Sequence, residues 1–268
     1  MPGDRRCNHR KSVIVDGRVA FTGGAGIGDQ WLGNGEDPKH WHDIQVRVEG
    51  PGVMGLQAGF AQNWLQTTGE LISGPNYFPV CEPAGAISTQ TLLSSPKNEL
   101  SSVCIMYYFS IVSAREMIYI ANPYFIPCDF VIQILIEAKK RGVDVKIMVV
   151  GTYNDMRISC YASDYLYGKL LQAGIEIYEY DRTMLHQKTM VVDSSWITIG
   201  TTNFDNRSFA LDEESNICAS DPELAAELEA IFREDLKSCE RITLEKWRRR
   251  GIKKRVFGAT CVFLKQQI

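Results

Sequence analysis

The chain has 268 residues, of which 45% are hydrophobic and 23% charged, and this is enough for one large domain or for two lobes. No stretch of the sequence approaches the run of about 20 apolar residues that spans a bilayer. The net charge of −3 argues against a general nucleic-acid binder.

From the N-terminus onward, the hydrophobic pattern alternates between the periods of a strand and of a helix. The apolar run at 13–15 predicts a buried strand. Residues 44–48 alternate as a strand does, and residues 53–64 then place their apolar side chains on one helical face. Residues 69–85 are rich in glycine and proline, which is typical of a linker.

The rest of the chain continues this alternation. It predicts strands at 87–93, 117–122, 143–150 and 175–180, and helices at 100–113, 130–140 and 163–173. Strands that alternate with helices are typical of a mostly parallel sheet with helices on its faces. The predicted fold class is therefore α/β.

One polar motif occurs twice, at a constant offset of 177 residues. In each copy an apolar run follows the polar residues and predicts a buried strand, with His and Lys two residues apart on the same face. The two copies provide two imidazoles and two ammonium groups that can meet around a pseudo-twofold axis. The copies are His9-x-Lys11-x₄-Asp16 and His186-x-Lys188-x₄-Asp193, and the glycines Gly23 and Gly200 follow them at equal distances.

These residue types suit the chemistry of a phosphodiester. Lys11 and Lys188 can neutralise the equatorial phosphate oxygens. One neutral imidazole can attack phosphorus to form a phosphohistidine, while the other, protonated, donates to the leaving alkoxide. The second imidazole can then deprotonate water, which gives hydrolysis, or an alcohol, which gives transfer.

The alternative is that both motifs are structural. A single His-x-Lys pair is common, and its histidine is more often a satisfied surface or core residue than a catalyst. The repetition favours catalysis, because structure alone does not require His and Lys at matched points of two buried strands.

Beyond the repeated motif, several segments resemble the phospholipase D superfamily and, within it, the bacterial cardiolipin synthases. The resemblance covers roughly residues 5–250, and the combination of motifs is highly specific. The segments that carry it include Gly200-Thr-Thr-Asn203, Glu213-Glu214, Trp41-His-Asp43, Asn122–Pro127, Lys139–Val145 and Tyr153–Asp155.

The resemblance implies roles for individual residues. Asn203 matches a residue that holds the phosphate, and we expect Thr201 and Gly24 to contact it as well. By position, Asp43 and Glu214 are the candidates for acids that orient the imidazoles. The catalytic set is His9, Lys11, Asp16, His186, Lys188 and Asp193, although in relatives the two aspartates are more structural than chemical.

Two points in this assignment stay open. Gly26 occupies the place of Asn203 in the first copy, so either one phosphate donor is missing from the first lobe or backbone amides of residues 23–26 supply it. The alternative for Glu213 and Glu214 is that both are solvated surface charges. No metal and no other cofactor is expected.

The resemblance also implies a phospholipase D-like fold of two pseudo-repeat lobes, each with a mixed, mostly parallel sheet, and an active site at the lobe interface. Residues 1–68 are then a remnant of the first lobe, residues 69–85 the linker, residues 86–242 the second lobe and residues 243–268 a basic, amphipathic tail. Only eight residues precede His9, whereas about a hundred residues of the second lobe precede His186. The first lobe is therefore expected to be incomplete.

The tail and the cysteines bear on location. Basic residues at 246–255, followed by Val256-Phe257 and Val262-Phe263-Leu264, form either a solvated helix end or a surface for anionic lipid. The eight cysteines are scattered, which favours reduced thiols over a zinc site or a disulfide framework. We expect a peripheral protein at the cytoplasmic face of the bacterial inner membrane.

Three functions remain open. The first is a phosphatidyltransferase that forms cardiolipin from two phosphatidylglycerols and releases glycerol. The second is a hydrolase of the same superfamily, either a phospholipase D or a phosphodiester nuclease. The third is an inactive fragment that binds lipid or a partner. The expected partners are anionic phospholipids and the membrane surface, without nucleic acid, and the oligomeric state stays open.

Overall fold

A small antiparallel sheet carries the first motif. In the computed structural model, which describes residues 7–96 and 101–263, it consists of β1 (Ser12–Val15), β2 (Val19–Gly23) and β3 (Gln45–Glu49) in that order. Helix α1 (Val53–Thr68) follows β3. Val48 and Leu56 are buried against Ile217 of the larger sheet, so the two sheets share a core.

The other strands form a large sheet and one short parallel pair. The strands are β4 (Ser88–Leu93), β5 (Met117–Ala121), β6 (Phe125–Ile126), β7 (Asp144–Val150), β8 (Glu176–Tyr180), β9 (Thr189–Val192), β10 (Trp196–Gly200), β11 (Phe204–Asp205), β12 (Ser215–Ser220) and β13 (Cys239–Ile242). The large sheet has the order β13-β8-β7-β5-β9-β10-β12-β4, and β6 pairs with β11.

Helices cover both faces of this sheet. They are α2 (Ser102–Ser113), α3 (Asp129–Lys140), α4 (Arg157–Gln172), α5 (Asn206–Ala210), α6 (Pro222–Asp235), α7 (Leu244–Arg248) and α8 (Ile252–Phe263). Strand β5 shows how the layers form, because its residues alternate between two cores. Ile118 and Ile120 pack with α2, α3 and α4, while Met117 and Tyr119 pack with α6.

The α/β class and the mixed sheet are confirmed, but the expectation of a mostly parallel sheet is wrong. Among the described strands of the large sheet, only the pairs β5–β7 and β7–β8 are parallel, and the other five are antiparallel. The reason is connectivity. Helical crossovers join β5, β7 and β8, whereas a tight turn joins β9 to β10, and a hairpin turn can only produce antiparallel neighbours.

The strand that follows each motif was expected to be buried, and this is correct for β9 but wrong for β1. Strand β9 lies between β5 and β10, and all of its residues are buried. Strand β1 is at a sheet edge and pairs, within the described ranges, with β2 alone, which leaves Val13 54% and Val15 48% exposed. The His and Lys residues precede both strands and are not part of them.

The end of the chain folds back onto α4. A Cβ atom on Gly258 of α8 would lie 2.8 Å from the carbonyl oxygen of Tyr161, so the two helices pack closely. Arg250 departs from the expected lipid-facing tail, because its side chain is buried beside Asp164 (3.1 Å) and over the ring of Trp247. Leu264, and the side chains of Lys253 and Arg255, lie outside the described residues. No helix within 7–96 and 101–263 is both long and apolar enough to cross a membrane.

Candidate active site

The two motifs meet beyond the carboxyl ends of the parallel strands. Thr189 pairs with Ala121, the last residue of β5, so residues 186–188 lie just past that edge of the sheet. The backbone N–H of His9 donates to the carbonyl of Glu213 at 2.9 Å, and the N–H of His186 donates to the carbonyl of His42 at 2.8 Å. The first motif is therefore held by the segment that carries Glu214, which follows the second motif, and the second motif by the segment that carries Asp43, which follows the first.

This exchange places each acid beside the histidine of the other motif. The carboxylate of Glu214 accepts a hydrogen bond from Nδ1 of His9 at 2.9 Å, and Asp43 accepts one from Nδ1 of His186 at 2.8 Å. Both carboxylates are buried. A hydrogen bond at Nδ1 leaves Nε2 as the nitrogen that can attack an electrophile or transfer a proton.

Further contacts hold the two carboxylates in place. The indole N–H of Trp31 donates to Asp43 at 3.3 Å, as does the backbone N–H of Ile44 at 2.8 Å. The hydroxyl of Thr201 donates to Glu214. Thr201 is fully buried with its hydroxyl engaged in this way, and its contact with the phosphate stays a prediction. It supports the acid of the His9 pair.

Trp31 is a residue of the site that sequence reasoning missed. Its ring lies 5.8 Å from that of His186, and the ring of Trp41 lies 5.2 Å from the same imidazole. The available signal was weak: a tryptophan inside a glycine-rich loop after the first motif, with no fixed spacing to the catalytic residues.

The lysines lie close to the histidines in both copies. Lys188 is fully buried and donates to the backbone carbonyl of His186, and Lys11 donates to that of His9 at 3.1 Å. Burial lowers the pKa of Lys188 to about 7, an effect that Asp43 opposes. Burial also lowers the pKa of Lys11. Both charges are poorly solvated, so an arriving phosphate anion stabilises them strongly.

The buried histidine is neutral near pH 7. Burial lowers the pKa of His186 to about 4, and the charge of Lys188 acts in the same direction against the hydrogen bond to Asp43. Burial acts to raise the pKa of Asp43, yet the hydrogen bond from His186 and the charge of Lys188 hold it below its usual value. Asp43 therefore stays ionised and can stabilise an imidazolium or a phosphohistidine.

The remaining candidates for phosphate contact differ in position. Asn203 is buried, and its Oδ1 has no hydrogen-bond partner in the part of the chain that the structure describes. A Cβ atom on Gly24 would lie 2.4 Å from Asp43 Oδ1, so this glycine makes room for the carboxylate. A Cβ atom on Gly26 would lie 3.1 Å from the Trp31 ring. The indole thus occupies the space into which a side chain at position 26 would extend.

Asp16 and Asp193, the two aspartates of the predicted catalytic set, lie at the ends of strands β1 and β9 that are remote from the histidines, and a catalytic role for them stays a prediction. The carboxylate of Asp193 accepts hydrogen bonds from the backbone N–H groups of residues 115–117, at 2.8–3.2 Å, and so anchors the β9–β10 turn to the start of β5. Asp16 has the same left-handed backbone conformation, with φ of 53° against 50°, and is exposed. Within the described ranges neither carboxylate bonds to a histidine, because both sit at the far end of the strand.

The alternative that Glu213 and Glu214 are solvated surface charges is wrong, since both are buried. Their side chains face opposite ways. Glu214 contacts His9, whereas Glu213 accepts from the amide of Asn63 and lies 3.9 Å from Arg10.

These contacts predict different effects for two matched substitutions. We expect Glu214→Gln to lower kcat by about two orders of magnitude or more, because the amide no longer stabilises the charge on the His9 ring. Glu213→Gln removes an acid of similar burial that does not touch a histidine, so its kcat should stay within a factor of about ten. Steady-state kinetics on both variants, with circular dichroism to verify folding, test this. Equal rates would contradict an orienting role for Glu214.

Comparison with known proteins places this geometry in context. A family model described as "Cardiolipin synthase, PLD-like domain" matches residues 108–236. Cardiolipin synthase 2 of Bacillus anthracis is 36% identical over 255 residues, which cover 94% of this chain and 49% of the relative. The cardiolipin synthase of Clostridium perfringens strain SM101 is also 36% identical, with coverage of 93% and 53%. The chain thus spans about half the length of the curated relatives it matches.

A solved structure supports the fold over nearly the whole chain. The phosphatidylserine synthase of Haemophilus influenzae has a TM-score of 0.69 and covers 97% of this chain and 68% of its own. Its sequence identity of 14% limits this likeness to the fold.

Proposed function

The chain belongs to the phospholipase D superfamily, with bacterial cardiolipin synthases as its similar relatives, and on this premise we propose that it is a phosphatidyltransferase acting on phospholipids. The reaction is cardiolipin formation from two phosphatidylglycerols with release of glycerol. The observation that carries the proposal is the pair of histidines, each held at Nδ1 by a buried acid that follows the other motif, with the buried Lys188 and the half-buried Lys11 beside them.

The first half-reaction uses Nε2 of one neutral imidazole. It attacks phosphorus, and the bond from phosphorus to the oxygen of the leaving glycerol breaks. The other histidine, protonated, donates its proton to that oxygen. Lys11 and Lys188 stabilise the charge on the equatorial oxygens, and Asn203 is the proposed side-chain donor to the phosphate. The product is a phosphatidyl-histidine and free glycerol.

The second half-reaction reverses these roles. The histidine that gave its proton is now neutral, and it takes a proton from a hydroxyl of the second phosphatidylglycerol. The alkoxide oxygen attacks phosphorus and the bond to the histidine breaks, so both histidines return to their initial states. Transfer requires that the lipid alcohol reaches the intermediate before water does, because water at the same position gives phosphatidic acid.

Product analysis tests this function. Incubation with phosphatidylglycerol vesicles, followed by mass spectrometry of the lipids and assay of released glycerol, should yield cardiolipin and glycerol in equal amounts. Addition of EDTA should leave the rate unchanged, since the scheme uses side chains alone. Phosphatidic acid as the main product would favour the hydrolase, and no product at all would favour a lipid-binding fragment. An EDTA-dependent loss that added metal restores would contradict the metal-free scheme.

A further inference from the structure

Exposed apolar side chains border the active site on the side of the first motif. The loop between β2 and β3 carries Trp31, which contacts Asp43 and lies against His186. In the same loop, Ile27 is 100% exposed and Leu32 is 60% exposed. Neither side chain contributes to the described cores. The loop therefore projects apolar groups into solvent next to the catalytic pair.

A second apolar segment borders the site from the side of the large sheet. The loop after β7 lies at the carboxyl-end edge of the parallel strands, where His186 also lies. Within it, Asp155 accepts a hydrogen bond from the hydroxyl of Tyr124, a buried residue just beyond β5. The side chains around Asp155 are exposed and apolar: Tyr153, Met156 and Ile158.

This second segment continues onto the C-terminal helix. Ile158 lines a shallow depression together with Tyr161 of α4 and with Val256 and Phe257 of α8. Both α8 side chains are exposed, and Phe257 packs edge-on against Tyr161 at 4.9 Å. Arg157 and Lys254 border the same depression. The surface thus combines apolar side chains with cationic ones at its margin.

We propose that these residues form a lipid-binding rim, consisting of Ile27, Leu32, Tyr153, Met156, Ile158 and Phe257, that enters the surface of an anionic bilayer and holds the active-site mouth against the headgroups. The proposal rests on the phospholipid substrate proposed above. It further identifies the part of the protein surface that contacts the membrane.

A bilayer fits this rim better than a protein partner does. The phosphodiester must reach Lys11 and the buried Lys188 while the acyl chains of the same molecule stay in an apolar medium, so the acyl chains leave the protein where the rim lies. A protein that covered the rim would close the mouth to substrate. Exposed aliphatic and aromatic groups next to basic residues are also the composition of surfaces that bind anionic membranes.

A double variant tests the rim on both sides of the mouth. Ile27→Glu with Ile158→Glu places a charge in each segment without touching the catalytic groups. The matched control is Phe109→Glu on α2, a 62% exposed aromatic residue that belongs to neither segment of the rim. Co-sedimentation with vesicles of phosphatidylglycerol and phosphatidylcholine measures binding. Turnover of a short-chain phosphatidylglycerol, kept monomeric below its micelle concentration, measures the chemistry.

We expect the double variant to lose at least about tenfold in vesicle partitioning and in turnover of vesicle lipid, and to keep turnover of the monomeric substrate within about twofold. Phe109→Glu should match the wild type in all three. The inference is overturned if the double variant binds vesicles normally, if Phe109→Glu weakens binding equally, or if the variant changes only the self-association measured by light scattering. If the wild type binds vesicles through the rim but yields no lipid product, the proposed function fails and the rim stands.

Discussion

Replacement of His9 or His186 by alanine should each abolish turnover, with a loss of about 10⁴-fold or more. In the proposed scheme each half-reaction needs one histidine on phosphorus and the other on an oxygen, so the remaining histidine cannot complete a cycle alone. The structure gives both rings the same arrangement, a carboxylate at Nδ1 and a free Nε2. Initial rates of product formation from phosphatidylglycerol measure the effect.

The chain offers a matched control for this pair. His40 is partly exposed and pairs with Asp37, close in sequence to the site but outside it. His40→Ala should therefore retain the wild-type rate within about twofold. Rapid quenching under alkaline conditions, which preserve phosphohistidine, should trap the intermediate in the wild type. A rate above one tenth of wild type in His9→Ala or His186→Ala would contradict the shared site.

Lys188→Met should lower turnover by about 10³-fold and at the same time stabilise the fold. In the proposed scheme the rate falls because the ammonium group that stabilises the negative charge of the phosphate oxygens in the transition state is absent. The gain arises because Lys188 is fully buried, and near pH 6 its charged form is held at a desolvation cost. Replacement by an apolar side chain of similar length should raise the free energy of unfolding by about 1–3 kcal/mol at pH 6, even after loss of the bond to the carbonyl of His186.

The pH dependence has a definite sign. The pKa of Lys188 is about 7 in the folded protein and 10.5 in the unfolded chain, so between these values the unfolded chain binds more protons. The free energy of unfolding should therefore rise with pH across about 7–10.5 in the wild type, and the contribution of this group should vanish in Lys188→Met. Urea denaturation at pH 6 and pH 9 measures both effects, with exposed Lys140→Met as control. A Lys188→Met protein that is less stable than wild type at pH 6 would contradict this account.

Sequence reasoning went furthest where local spacing decides the outcome. The two His-x-Lys motifs, the acids at 43 and 214 and most helices and strands could be located because each depends on a short stretch of chain. Helix α4 begins at Arg157, six residues before the predicted start, and this difference arises because residues 157–162 do not show a strong helical pattern of apolar side chains. The φ values at Asp16 and Asp193 show that even the turn conformation follows the repeated motif.

What the sequence could not provide depends on contacts between distant segments. Asp43 and His186 are 143 positions apart, and they meet because residues 40–42 lie beside residues 183–186. No spacing rule contains that pairing. The exposure of β1 likewise depends on which strand lies next to it, since β1 and β9 carry similar apolar runs and differ in their neighbours. The role of Thr201 as a support for Glu214 depends on the pairing of β10 with β12, which the sequence does not specify either.

Because the acid that follows each motif binds the histidine of the other, the catalytic arrangement exists only once both segments have folded together. A nascent or partly folded chain can form either hairpin with its His and Lys, yet it contains no oriented imidazole until the segment of each motif lies against the acid-bearing segment of the other. Under the proposed function, an incompletely folded chain therefore lacks the paired imidazoles that either half-reaction requires. The same arrangement is compatible with domain swapping, in which two copies exchange their N-terminal segments. Both histidine–carboxylate contacts would be preserved, because each joins residues far apart in sequence and can form equally well between two chains.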